Sequence, residues 1–71
     1  MFNDRLFRSK VVLCGLTLGE LAKSMGINES TLHGKLKRQG SFSRDEIGKI
    51  RQILDLTDED IMDIFFASEL E

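Results

Sequence analysis

The residues best suited to contact another molecule lie in one short run. From Asn28 to Arg38 the chain reads NESTLHGKLKR, and apart from Leu32, Gly34 and Leu36 every residue in it is polar. Ser30, Thr31 and His33 can both donate and accept hydrogen bonds, whereas Glu29 can only accept. Short groups of the first kind suit base edges; the Glu29 carboxylate suits a cytosine amino group and repels phosphate. Lys35, Lys37, Arg38 and, a little further on, Arg44 supply positive charge of the kind that holds phosphates without reading sequence. Blander readings stand beside these: a solvated histidine at 33, and a Lys37-Arg38 pair that merely complements a helix C-terminus. Other chemistries are poorly supplied. One histidine, one cysteine and no glycine-rich phosphate loop leave no nucleophile–base pair, no metal set and no cofactor cradle, so no enzyme is expected.

Two helices have to position that run. The stretch Leu18–Leu36 reads LGELAKSMGINESTLHGKL, with Ala22, Gly26 four residues later, Ile27 beside it, and apolar residues at Leu21, Met25, Leu32 and Leu36. This is helix-turn-helix spacing over about residues 17–39. Ala22 is small where a second helix crosses, and Gly26 stands where the chain reverses with positive φ. Thr17 with Glu20 forms a capping box, and Asn28 is the expected N-cap of a helix over 28–39 that stops at Gly40. Leu32 and Leu36 then point inward, leaving Glu29, Ser30, Thr31, His33, Gly34, Lys37 and Arg38 outward. The N–H groups at Thr17 and Asn28 face whatever anion approaches a helix start. A helix held proud in this way is most often laid into the major groove of DNA.

The rest of the chain reads as three more helices. Asn3 caps a first helix that runs to about Cys14, with Gly15 as its stop. Ser43 with Glu46 opens a helix carrying Ile47, Ile50, Ile53 and Leu54 on one face, and Thr57 with Asp60 opens a last one with Ile61, Ile64 and Phe65. No segment alternates with period two, so the expected fold is all-α, five short helices around one core in a single domain, residues 1–71. Cys14, beside Val11, Val12 and Leu13, is expected in that core. Phe65 and Phe66 cannot share a face, so Phe66, with Leu70, is a candidate exposed apolar edge. The net charge of −2 hides a division. Residues 1–54 hold all ten Lys and Arg against five acids, a balance of +5, whereas residues 55–71 hold seven acids and no base. One end suits phosphates and the other does not. With no apolar run long enough for a membrane span and no leader pattern, a cytoplasmic protein is expected.

Thr17–Leu36, followed by Gly40, Phe42, Glu46-Ile47, Ile50 and Ile64-Phe65-Phe66, resembles the lambda-repressor-like helix-turn-helix domains over about residues 4–66. It looks most like the small phage-encoded regulators of Gram-positive bacteria, with Leu32-His33-Gly34-Lys35-Leu36 and Ile64-Phe65-Phe66 as the shared runs. The resemblance implies a compact five-helix fold with a central helix-turn-helix and a role in phage or prophage gene control. It places Glu29, Ser30 and His33 against base edges, and it sets Lys35, Lys37, Arg38 and Arg44 along the backbone of double-stranded operator DNA. Two positions depart from the family pattern: Leu18 replaces a phosphate-bonding polar residue, and Gly34 replaces a base-reading side chain.

Two functions follow as expectations. The first is a transcriptional regulator, as a homodimer on a palindromic operator, since one module this small buries little surface. The second is an antirepressor that docks a partner phage repressor and masks its reading surface in the lysis–lysogeny switch. Glu29, Leu18, Gly34 and the acidic last helix suit the second reading; Lys35, Lys37, Arg38, Arg44, Lys49 and Arg51 suit the first.

Overall fold

The computed structural model describes residues 2–66, which form five helices: α1 Asp4–Leu13, α2 Leu18–Met25, α3 Glu29–Lys37, α4 Arg44–Leu54 and α5 Asp58–Phe65. No strand occurs among the described residues, and no helix there is long and apolar enough to cross a membrane.

Local chemistry sets most helix starts. The Asn3 side chain accepts from the Leu6 N–H at 3.1 Å. Thr17, Ser43 and Thr57 each accept from the N–H three residues on, while Glu20, Glu46 and Asp60 reach back to the cap residue's own N–H. Each reciprocal pair satisfies two donors that a helix start would otherwise leave bare. Asn28 is the exception. It stands at the N-cap of α3 as expected, but its side chain makes no capping hydrogen bond.

Helix ends follow backbone geometry. Gly26 closes α2 at φ +78°, and its neighbour's N–H, on Ile27, reaches back to the Ala22 carbonyl at 3.0 Å. α3 stops two residues earlier than its sequence suggests, because Gln39 and Gly40 both take positive φ and the N–H groups of Arg38, Gly40 and Ser41 converge on the Lys35 carbonyl. Gly40 is fixed by a second constraint: a Cβ there would drive into the ring of Phe2.

The core collects one stripe from each helix: Phe7 and Val11, then Leu21, Ala22 and Met25, then Leu32 and Leu36, then Ile50 and Leu54, then Ile64 and Phe65. α2 is the hub, packing against α1, α3 and α4, while α5 lies on α1. Four phenylalanines close one side of the core. Phe2, Phe7, Phe42 and Phe65 stand with ring centroids 5.5–6.1 Å apart, with Phe42 and Phe65 edge to face. Beside them the Asn3 N–H donates to the Ile64 carbonyl at 2.6 Å, joining the start of α1 to the end of α5.

Cys14 is a correction. Placed in the core by its apolar neighbours, it is instead exposed, at the C-cap of α1, with Sγ 3.5 Å from the Leu54 carbonyl. Only Val11 of that run lies one turn from Phe7. Val12 and Leu13 fall on the far side and are 72% and 76% exposed. Phe65 and Phe66 divide as their adjacency demands, Phe65 buried and Phe66 exposed. Leu70 lies outside the described residues.

Candidate functional site

α2 and α3 meet through Leu21, Ala22, Met25, Leu32 and Leu36, with Ile27 half-buried in the turn between them. Ala22 is 1% exposed, so any larger side chain would push the two helices apart. α4 braces the pair from behind. Lys49 Nζ donates to the Met25 carbonyl at 3.4 Å, which neutralises the C-terminal end of α2. Lys35 Nζ lies 3.3 Å from Glu46 Oε2, with both side chains largely covered.

That last contact redraws the expected set of cations. Lys35 is turned toward α4 and held by Glu46. The carboxyl of Glu46 is held below its ordinary value, chiefly by the Ser43 N–H, against burial and with help from Lys35. Arg8, Lys10 and Arg51 are likewise engaged, with Asp4, Asp60 and Asp58. Lys37, Arg38 and Arg44 are exposed and form no ion pair among the described residues. Lys37 is the last residue of α3, Arg38 its C-cap and Arg44 the first residue of α4. Arg5 on α1 and Lys23 on α2 are also exposed without an ion pair among the described residues, so the unpaired cations are spread over the domain, with three of them following one another across the α3–α4 loop.

The polar face of α3 divides in two. Ser30 and Thr31 are exposed, and neither makes a side-chain hydrogen bond among the described residues. One turn along, Glu29 and His33 hold each other, Oε2 to Nε2 at 3.3 Å. The other oxygen of Glu29 leans on α2, 2.8 Å from where a Cβ on Gly19 would stand. Gly34 faces open space, with nothing within 4 Å of a Cβ placed there.

The two helix starts differ as well. At α2 the Thr17 N–H donates to Glu20 at 2.9 Å and the Glu20 N–H to Thr17 at 3.1 Å, so the Thr17 N–H, expected to face an outside anion, is already taken. At α3 no side chain caps the first turn. Sequence reasoning placed Glu46 only in its capping box, not as the partner of Lys35, and did not single out Gly19 or Lys49 as supports. Gly19 had a signal, since glycine inside a capping box forfeits helix propensity for no local gain. Lys49 had none, because its partner is a carbonyl 24 residues away.

The described residues thus define a small all-α domain of five helices in which the polar face of α3 is followed by three exposed, unpaired cations. The chain belongs to the family described as protein of unknown function DUF739, whose model matches residues 3–68. No curated protein and no solved structure matches it.

Proposed function

We propose that this protein is a phage or prophage transcriptional regulator of the lambda-repressor-like class, acting in the cytoplasm of a bacterial host. On this reading α2, the turn at Gly26 and α3 are a helix-turn-helix, and α3 enters the major groove of operator DNA. The observation that carries it is the exposed polar face of α3 with cations directly after it. Lys37, Arg38 and Arg44, exposed and without an ion pair among the described residues, follow that face at the end of α3 and the start of α4. Those three hold the phosphate backbone, and Ser30, Thr31 and His33 face base edges. Binding as a homodimer belongs to the same proposal, because a single module of this size covers few base pairs.

A second reading has one observation of its own. The Glu29 carboxylate rests on the first turn of α2, where it would oppose an approaching phosphate. This favours a basic protein surface as the occupant of α3, as in an antirepressor that covers a partner repressor's reading helix. A salt series of binding to the intergenic DNA beside its own gene, with and without the neighbouring repressor, separates the two. Binding alone, with log affinity falling linearly against log salt, supports the regulator. Binding to the repressor alone, with release of that repressor from DNA, replaces it with the antirepressor.

A further inference from the structure

We infer that Glu29 fixes the tautomer of His33 and thereby selects which base edges α3 can read. The second half of this inference rests on the DNA-binding reading above; the first half does not. Glu29 Oε2 lies 3.3 Å from His33 Nε2, one turn apart on the same helix face. An ionised carboxylate offers only lone pairs, so the ring nitrogen facing it must carry the hydrogen. The carboxylate is itself placed from outside α3. Its Oε1 fills the notch left by the missing side chain of Gly19, 2.8 Å from the Cβ position, with Thr17 Oγ1 bordering the same notch at 3.8 Å. α2 therefore positions Glu29, and Glu29 positions the ring.

With hydrogen on Nε2, a neutral His33 carries a lone pair on Nδ1, and no group among the described residues bonds that atom. A lone pair accepts. In the major groove the donors are the amino groups of adenine and cytosine, whereas guanine N7 and O6 and thymine O4 are acceptors that Nδ1 cannot meet. Phosphate oxygens are excluded for the same reason. Glu29 is thus a positioning residue for His33, with Gly19 as its support, and the pair reads amino-bearing bases.

The chain has a single histidine, so its ring nitrogens can be observed without assignment. The experiment is a two-bond proton–nitrogen correlation on the full ¹⁵N-labelled chain at about pH 8, above the ordinary histidine range. The wild type is expected to show a protonated Nε2 and a bare Nδ1. In Glu29→Ala and Gly19→Ala both signals should move toward the exchange-averaged positions of an unconstrained histidine side chain, in which both tautomers are populated. Gly19→Ala is the more telling variant, because it leaves Glu29 in the chain, improves helix propensity and meets only the far end of a flexible side chain. A wild-type spectrum matching either variant, or one with hydrogen on Nδ1, overturns the tautomer assignment whether or not the protein binds DNA.

The second arm selects bound sequences from a pool of randomised DNA duplexes. Wild type should enrich adenine or cytosine several-fold at one position per half-site, and Gly19→Ala should lose that preference while its contacts elsewhere persist. An undiminished preference in Gly19→Ala overturns the base-edge half. Absence of any selected sequence overturns the DNA reading together with that half, and leaves the spectroscopic result to decide the first.

Discussion

Gly34 stands in the middle of the exposed helix with open space over it, so nothing inside the protein requires a glycine there. Gly34→Ala is expected to raise unfolding free energy by about 1 kcal/mol, read as a higher denaturation midpoint at unchanged slope. If binding falls in the same variant, the space over Gly34 is where a partner's backbone or base comes close. A loss of stability would instead show that the helix is strained at that point. The cations permit a sharper contrast. If the proposed DNA binding holds, reversing Lys37 and Arg38 to Glu weakens it broadly and flattens the log–log salt slope by about 2, with little effect on folding. Lys35→Glu should do the opposite, destabilising the fold by setting two carboxylates together at Glu46. Sequence spacing made Lys37 and Arg38 legible as an exposed pair. It also left Lys35 out of the outward set, but it could not name what holds Lys35, because Glu46 is a residue on another helix.

At the scale of elements, the three capping boxes were legible because everything they need lies within four residues, and all three form with both hydrogen bonds. They also carry a pH dependence. Glu46 and Asp60 are held below their ordinary values of 4.5 and 3.8, first by the N–H groups of Ser43 and Thr57, against burial, then by Lys35 and Lys10. A carboxyl lowered on folding contributes stability that is full above its unfolded value and is lost as pH falls through the folded one. Glu46→Gln keeps the shape of the box but gives up the Lys35 pair, at a cost of up to about 1 kcal/mol near neutral pH. Denaturant midpoints of variant and wild type should converge as pH drops below 4.5 and onward through the lowered value; a constant gap would mean that the Glu46 charge contributes nothing. Where element boundaries escaped the sequence, tertiary contact was the reason. α3 ends before Arg38 because Gly40 must turn under the ring of Phe2. Cys14 leaves the core for a local reason, since it is the C-cap where α1 stops.

Across the whole molecule, helix number and the apolar stripe of each helix were legible from the period of Leu, Ile and Phe, whereas the assembly of Phe2, Phe7, Phe42 and Phe65 was not. Phe2 and Phe7 are near neighbours in the chain, but Phe42 and Phe65 lie tens of residues further on, and no local pattern pairs them with the first two. Phe2→Ala is expected to cost about 3 kcal/mol, a large share of what holds so small a domain together, and to appear as a lower urea midpoint. A change under about 0.5 kcal/mol would mean that the N-terminal strap merely lies on the surface. The bond from Asn3 to Ile64 and the rings around it have a further consequence in time. Synthesis runs from the N-terminal side, so Phe2 leaves the ribosome well before its partner Phe65 and cannot close against it until α5 has been made. α1 to α4 are all made before that, while the contact joining the start of α1 to the end of α5 is still missing. That clasp is therefore the last part of the fold that synthesis can complete.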